Sequence, residues 1–427
     1  MMREPWLKAY RLATSALGPV APALLAVRRR RGKEDPKRLA ERMGISSLPR
    51  GDKPVAWLHG ASVGEGLALM PLVERLSARG FQVLLTTGTV TSAAVVAARL
   101  PAGAVHQYVP LDVPKFFARF LDYWRPGIAL VAESELWPNM LHETHERRIP
   151  LVLVNARLSE RSFRRWQKFP RVIGALLARI DLVLAQSQED AGRLSHLGAS
   201  RVQVAGNLKY DVAAPPVDPS QLAAIVASIG SRPVWVAAST HAGEEAIAIE
   251  AHLRLQSHHR ALTIIAPRHP ERGAEIADLA ARMGASPALR STGAPLDRES
   301  SLYVADTVGE MGLLYRLAGA VFLGKSLTSG GGQNPIEPAK LGCAILHGPR
   351  VENFSDVYRE LDQAQGAIEV GDADTLGRAL GLLFSDAPRM RKLARTAADV
   401  VERFGGATDA IMCALEPYFM QMRVERR

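Results

Sequence analysis

The chain has 427 residues, 47% hydrophobic and 22% charged, with two cysteines, Cys343 and Cys413. Such a make-up belongs to a folded globular protein of two to three domains and excludes a disordered, collagenous or low-complexity chain. Two cysteines exclude a disulfide framework and a cysteine-based zinc site, and fit a reducing compartment.

The formal net charge of +10 is unevenly spread. Residues 1–43 carry eleven basic against four acidic side chains, so +7 sits there and the remaining body is close to neutral. A nucleic-acid partner is not expected from that distribution, and no aromatic-interleaved basic stripe supports one. Within this region, LATSALGPVAPALLAV at residues 12–27 has no charge and is bordered by Arg11 and Arg28. As a helix it rises about 24 Å, short of the roughly 30 Å hydrocarbon core, and Pro19 and Pro22 disturb it. Four arginines, Arg28 to Arg31, follow it directly and suit cleavage and export poorly. Residues 1–35 are therefore expected to form a membrane-associating segment pinned to an anionic surface. It lies in the interface or, alternatively, spans, with the body on the cytoplasmic side.

After Pro36, apolar β-rich runs alternate with amphipathic stretches. KPVAWLHG reads as a strand, LALMPLVERLSARG as a helix ending at Gly80, FQVLLTTG as a strand and SAAVVAARL as a helix. IALVAE, LVLVNA and LVLAQS are further strands, each with a helical stretch behind it. The runs are continuous rather than alternating, as in parallel strands covered on both faces. The β–α–β order gives a doubly wound sheet. VAAPPVDP at 212–219 reads as a linker. The alternation then restarts with VWVAAS, LTIIAP, LYVAD, AVFLG, AILHG and AIEV. The expected fold is α/β, with Rossmann-like domains at 36–212 and 213–385 facing a cleft. Helices in 386–427 are expected to pack back toward the first domain. Ligands in such sheets sit at the C-terminal ends of the strands.

The motifs with chemical potential stand just past strands. GASVGEG at 60–66 places Gly60, Gly64 and Gly66 in a tight turn, but the spacing is not G-x-G-x-x-G and NAD is only weakly indicated. Glu65 is either the far half of a capping box with Ser62 or a general base at a cleft mouth. In AESELWPNM, Glu133 and Glu135 end a strand before Trp137-Pro138. They are cleft-facing carboxylates or an acidic first helical turn. In NARLSERS, Asn155 and Arg157 suit a hydroxyl or a phosphate, with a structural ion pair the alternative for Arg157. Lys209 in GNLKYD faces an anion or solvent.

In the second half, APRHPER sets Pro267, Arg268 and His269 at a strand end where phosphates are held. DTVGEMG brings Gly309, Glu310 and Met311, and GKSLTSGGGQNPIEPA brings Ser326, Asn334, Pro335, Ile336 and Glu337. The run Gly330 to Gly332 frees backbone N–H groups, and the helix start after it is expected to meet a phosphate, with Glu337 on ribose. HETH at 142–145 is not H-E-x-x-H. Asp374 in DAD reads as a helix cap rather than a metal ligand.

Taken in order, these motifs resemble one family, the Kdo transferases of lipopolysaccharide biosynthesis. The match runs through the N-terminal apolar segment, GKEDPKRLAERMG, WLHGASVGEG, ESELWPN, NARLSERS, GNLKYD, STHAGEE, APRHPER, DTVGEMGLLY, GGGQNPIEPA and NFSDVY. The resemblance implies a GT-B glycosyltransferase that moves 3-deoxy-D-manno-octulosonic acid (Kdo) with inversion. It implies CMP-Kdo as donor and a lipid A precursor (lipid IVA) as acceptor, at the cytoplasmic face of the inner membrane, without metal or cofactor. It implies Glu65 as general base, and Glu135, Lys209 and Glu133 as transition-state stabilisers. CMP would be held by Pro267, Arg268, His269, Gly309, Glu310, Met311, Ser326 and Asn334 to Glu337, and the acceptor by Asn155 and Arg157. Lys325 and Gln333 depart from the family pattern, which often has glycine and histidine there. Another GT-B enzyme, such as a nucleotide-sugar epimerase or a UDP-sugar transferase, is the alternative.

Overall fold

The computed structural model describes residues 4–211 and 214–424, and each apolar run that follows Pro36 forms a strand in one of two sheets. In the first sheet these are β1 (Val55–His59), β2 (Gln82–Thr87), β3 (Val105–Tyr108), β4 (Ile128–Ala132), β5 (Leu151–Ala156), β6 (Leu182–Ala185) and β7 (Val202–Val204). The second holds β8 (Val234–Thr240), β9 (Leu262–Pro267), β10 (Pro287–Leu289), β11 (Leu302–Val304), β12 (Ala320–Leu323), β13 (Ala344–His347) and β14 (Ala367–Glu369). All pairings are parallel, in the orders β3-β2-β1-β4-β5-β6-β7 and β10-β11-β9-β8-β12-β13-β14. The strand order reverses beside β1 in the first sheet and beside β8 in the second. These are the topological switch points, where open α/β sheets bind ligands.

Both faces of each sheet are covered, which is why the strands read as unbroken apolar runs. In the first, Trp57, Val131 and Leu153 pack under Phe117, Phe120 and Leu177, while Leu58, Leu130 and Val154 pack on the opposite face with Leu72 and Leu76. Each central strand also carries one tryptophan whose indole N–H is satisfied by a neighbouring threonine. Trp57 donates to Thr86 at 2.9 Å and Trp235 to Thr263 at 2.8 Å.

The chain divides into one unit of Met1–Val212 with Gly405–Arg427 and a second of Ala213–Phe404. The expected edge at 385 is thus displaced. Helix Ala387–Arg403 packs on β13 and on helix Ile336–Lys340 of the second unit, burying Ala397, Val400 and Val401. Only helix Ala407–Val424 joins the first unit, where Ile411, Leu415 and Phe419 complete one face of its core. Asp211 caps that return by accepting from the Gly406 and Thr408 amides. Residues 212 and 213 of the expected linker lie outside the described residues. Beyond them, the Pro215 carbonyl accepts from Arg316 at 2.7 Å. The expected cap at Asp374 is also corrected. Asp372 caps helix Ala373–Ser385 in a capping box with Thr375, and Asp374 pairs with Arg254 at 2.6 Å.

The N-terminal run folds as helices Pro5–Leu17 and Ala21–Arg30, joined by a 3-10 turn at Gly18–Val20. Pro19 and Pro22 fall in first turns, where a missing N–H costs nothing, so they shape the joint rather than end the helix. One side is tied to the first unit. Leu7, Ala21 and Leu25 are buried, Arg11 meets Glu143 at 2.8 Å, Tyr10 donates to Asp112 at 2.9 Å and Arg179 meets Glu4 at 2.6 Å. The other side is apolar and bare, with Leu12 75%, Leu17 59% and Leu24 51% exposed, alongside Val20 and Val27.

The basic residues of this region divide in the same way. Arg28 and Arg42 both bind the buried Glu34, at 2.6 and 3.0 Å, and Arg38 binds the buried Glu41 at 2.9 Å. Glu41 also accepts from the Tyr108 amide at 2.8 Å. GKEDPKRLAERMG is therefore an internal ion-pair network that locks the segment to β3. Lys8, Arg29, Arg30, Arg31, Lys33 and Lys37 are the exposed members.

Candidate functional site

In the first unit, β1 and β4 end side by side and deliver the acidic motifs to one place. Past β1 the chain turns through Gly60, where a Cβ would come within 3.0 Å of the Glu65 side chain, and enters helix Val63–Ala68. Ser62 is its N-cap. Glu65 accepts from the Ala61 amide at 2.8 Å and from the Ser62 hydroxyl at 2.7 Å. Only half of the capping box that the sequence offers forms: Ser62 Oγ accepts from the Glu65 amide at 3.3 Å, but the carboxylate takes the Ala61 amide and not that of Ser62. Each carboxylate oxygen has one hydrogen bond, which leaves further lone pairs on both. Glu65 is half-buried, so those lone pairs remain accessible.

Past β4, Glu133 has a left-handed backbone (φ +55°), rare for a residue with a side chain, and its amide donates to Val154 at 3.0 Å. Its carboxylate meets the Lys209 ammonium at 2.8 Å. Lys209 is thus brought to the acidic motif rather than left to solvent. Glu135 stands beside both carboxylates. Burial, reinforced by the negative charges of Glu65 and Glu133, pushes its carboxyl up to about 6. Glu65, Glu133, Glu135 and Lys209 form one cluster at the β1/β4 switch point.

Two further residues complete the surroundings, and the first carries no local signal that sets it apart from other strand residues. His59, the last residue of β1, is fully buried, and burial lowers its imidazole to about 4. Its ring meets the edge of Trp137 at 5.8 Å between centroids. Asn155, expected to hold acceptor, is 1% exposed at φ +52°. Its amide oxygen accepts from the Leu208 amide at 2.9 Å, which fixes the turn that carries Lys209. It therefore organises the cluster from below. Arg157 is exposed and has no ion pair among the described residues, so the structural alternative for it falls away. It begins a basic run in which Arg161, Arg164, Arg165 and Lys168 border one surface concavity.

In the second unit the motifs gather at the C-terminal ends of β9, β8 and β12. Arg268 is exposed, with its amide donating to Thr240 at 3.0 Å, and His269 beside it lies 3.4 Å from Glu271. The His269 ring approaches His241 at 6.0 Å, and the Gln333 amide reaches His241 at 3.3 Å. Gly309 has φ +91°, and Glu310 is gripped by Arg290 at 2.6 Å, which lowers its carboxyl. Met311 starts helix Met311–Leu317. Gly331 (φ +128°) and Gly332 (φ +65°) adopt conformations that L side chains resist.

Several expected donor contacts serve the loop instead. Ser326 is fully buried, donating to the Leu323 carbonyl at 2.5 Å and accepting from the Gly348 amide at 2.8 Å. Pro267, Pro335 and Ile336 have buried side chains, so only backbone atoms could face a ligand there. The helix after the glycines, Ile336–Lys340, has five residues, and Asn334 already takes its first amide at 3.0 Å. Its contribution as an anion site is small. Asn334 also reaches Glu337, at 3.3 Å.

What holds this loop is Glu244 of STHAGEE, which looks in sequence like an ordinary first-turn acid. Fully buried, it accepts from the amides of His241, Lys325, Ser326 and Leu327 at 2.9, 2.7, 2.9 and 3.0 Å. Lys325 is thereby kept at φ +57°. Replacing Glu244 with alanine strands four amides. The second unit is then expected to lose about 3–5 kcal/mol of stability. Urea unfolding followed on Trp235 measures this, and a loss below about 1 kcal/mol would contradict the clamp.

The comparisons with known proteins agree with these motifs. The family described as 3-Deoxy-D-manno-octulosonic-acid transferase (kdotransferase) matches residues 37–212. The chain is 35% identical to a 3-deoxy-D-manno-octulosonic acid transferase of Bordetella pertussis over 423 residues, covering 96% of this chain and 98% of that relative. It is 33% identical to the enzyme of the same name from Haemophilus influenzae, over 90% of this chain and 91% of the relative. A crystal structure of a glycosyltransferase from Rickettsia africae matches with a TM-score of 0.58 at 12% identity, covering 86% of this chain and 98% of that one. That likeness shows the fold, which is of the GT-B type. The chain belongs to the 3-deoxy-D-manno-octulosonic acid transferases, a family of glycosyltransferases.

Proposed function

We propose that the chain transfers Kdo from CMP-Kdo to a phosphorylated lipid A precursor, with inversion, at the cytoplasmic face of the inner membrane in lipopolysaccharide biosynthesis. The observation that carries the reading is the Glu65, Glu133, Glu135 and Lys209 cluster at the β1/β4 switch point. Glu65 takes the proton of the attacking acceptor hydroxyl. The oxygen then bonds to the anomeric carbon as the bond to the phosphate oxygen breaks on the opposite face, and CMP leaves with the electron pair. Lys209, held by Glu133, supplies positive charge to the transition state. Arg268, with the backbone of the glycine-rich loop, meets the single phosphate of CMP. One phosphate carries little enough charge that the reading calls on no metal or cofactor.

The membrane part of the proposal is supported by the N-terminal helices. Their inner face is tied to the first unit by the ion pairs of Glu4 and Arg11 and by buried Leu7, Ala21 and Leu25, and a span would have to break those contacts. Their outer face is a row of exposed leucines and valines flanked by Arg29, Arg30, Arg31 and Lys33. An apolar face with basic flanks favours lying in the interface of an anionic membrane. Arg157 and the basic run behind it suit the acceptor's phosphates. The test is incubation with CMP-Kdo and the lipid A precursor, followed by the mass of the acceptor.

A further inference from the structure

His59 is a fully buried histidine beside Glu135 of the acidic cluster, and the transfer chemistry above does not use it. Its hydrogen-bond partners fix its tautomer. Nδ1 lies 3.2 Å from the Thr86 carbonyl and 3.0 Å from the Thr86 hydroxyl oxygen. A carbonyl only accepts. The hydroxyl already spends its hydrogen on the Leu58 carbonyl at 3.2 Å and accepts from the Trp57 indole at 2.9 Å. Both neighbours therefore act as acceptors toward Nδ1, and Nδ1 carries the hydrogen.

In the neutral ring this leaves Nε2 as a bare lone pair. Nε2 is buried, has no hydrogen-bond partner and lies 4.0 Å from Oε2 of Glu135. An acceptor with nothing to accept is costly in a buried site, and a small movement of Glu135 brings the two into hydrogen-bond range. Two acceptors bind each other only through a shared proton. We propose that His59 is a positioning residue whose Nε2 accepts from a protonated Glu135 carboxyl, so that the pair holds one proton and Glu135 acts as a hydrogen-bond donor.

This rests on the reading of Glu135 as part of the transfer site. The transferred sugar is an acid, and its carboxylate would meet Glu65, Glu133 and Glu135 with one lysine among them. Keeping Glu135 neutral, with its one hydrogen on Nε2, removes a like charge from the surroundings of that carboxylate. The groups facing the pair divide as follows. Glu65 and Glu133 favour a proton on Glu135, while a hydrogen bond with Trp137 favours its anion. Burial, with a smaller push from Arg42, disfavours a charged His59 and outweighs the hydrogen bond to the Thr86 carbonyl that favours it, which leaves the proton on the carboxyl.

The wild-type chain gives the first test. In a sample with 15N-labelled histidine, His59, assigned by loss of its signals in His59→Phe, is expected to show the neutral Nδ1–H pattern at neutral pH. An Nε2–H pattern would overturn the proposal. The second test is a titration of the Glu135 carboxyl by 13C shift, assigned with Glu135→Gln. Its midpoint is expected to fall by about one pH unit in His59→Phe, a tenfold change in proton affinity. An unchanged midpoint would overturn the shared proton.

In transfer assays, His59→Phe is expected to lose about tenfold in kcat near pH 8 and less than about twofold near pH 4.5, because a midpoint lowered from about 6 by one pH unit leaves Glu135 protonated only at the lower pH. A uniform loss at both pH values would mean a merely structural role. Glu135→Gln, which keeps a donor, is expected to exceed Glu135→Ala in kcat by about tenfold. Full activity of Glu135→Ala would overturn the catalytic reading of Glu135. The tautomer and the titration would still decide the shared proton separately.

Discussion

Glu65→Gln is expected to lower kcat about a thousandfold while leaving the affinity for CMP-Kdo and the melting temperature close to those of the parent. Glutamine separates the two things Glu65 does. Its amide oxygen can still accept from the Ala61 amide and its NH2 can still meet the Ser62 hydroxyl, so the cap survives. It cannot take a proton from an attacking hydroxyl. Glu65→Ala removes the cap as well and is expected to cost about 1 kcal/mol of stability on top of the lost activity. Steady-state kinetics and thermal melts on both variants decide between the roles. If Glu65→Gln keeps the parent kcat, the carboxylate is a cap and nothing more, and the base lies elsewhere.

The second large effect is expected at the membrane. Changing Leu12, Leu17 and Leu24 together to serine is expected to weaken binding to anionic vesicles about a hundredfold, at about 1 kcal/mol for each leucine withdrawn from the interface. These side chains face outward, so the melting temperature should stay within a few degrees. That separates the triple variant from removal of the whole segment, which would also break Arg11–Glu143, Tyr10–Asp112 and the packing of Leu7 and Leu25. Vesicle co-sedimentation reads the loss. It should grow with salt as the charges of Lys8, Arg29, Arg30 and Arg31 are screened. Unchanged binding of the triple variant would remove the interfacial helix from the account.

The strands that were legible in the sequence are those with two covered faces. VAWLH, IALVA and LVLVNA are apolar at every step because each is buried on both sides. Strand β3 was hidden because its sequence, VHQY, is polar. Its His106 hydrogen-bonds Thr87 at 2.9 Å and its Gln107 accepts from Trp124 at 2.8 Å, pairings that exist only after folding. Strand β7 was hidden because it has three residues at a sheet edge and is largely exposed. The C-terminal helices were legible as helices but not as members of a particular unit. An apolar stripe states that a helix packs and not on which sheet.

The candidate site shows the same division. A carboxylate just past a parallel strand is a local feature, so Glu65, Glu133 and Glu135 could be singled out from the chain. Their meeting with Lys209, 76 positions from Glu133, depends on β4 and β5 being neighbours and on Asn155 fixing the Leu208 turn. His59 reads as one more strand residue until Thr86 lies beside it on β2. Glu244 and Ser326 show the reverse. Ser326, in a glycine-rich loop, suggests a ligand contact and Glu244 an ordinary first-turn acid, yet both are buried and spend their polar atoms on backbone that would otherwise go unpaired.

Transfer of Kdo onto a lipid A precursor is the proposed activity. The most direct measurement is mass spectrometry of that acceptor after incubation with CMP-Kdo and the full chain in anionic vesicles. Acceptor species heavier by one or more Kdo residues are expected, formed with release of CMP and absent with Glu65→Gln over the same interval. An acceptor of unchanged mass in the presence of the folded, vesicle-bound chain would contradict it.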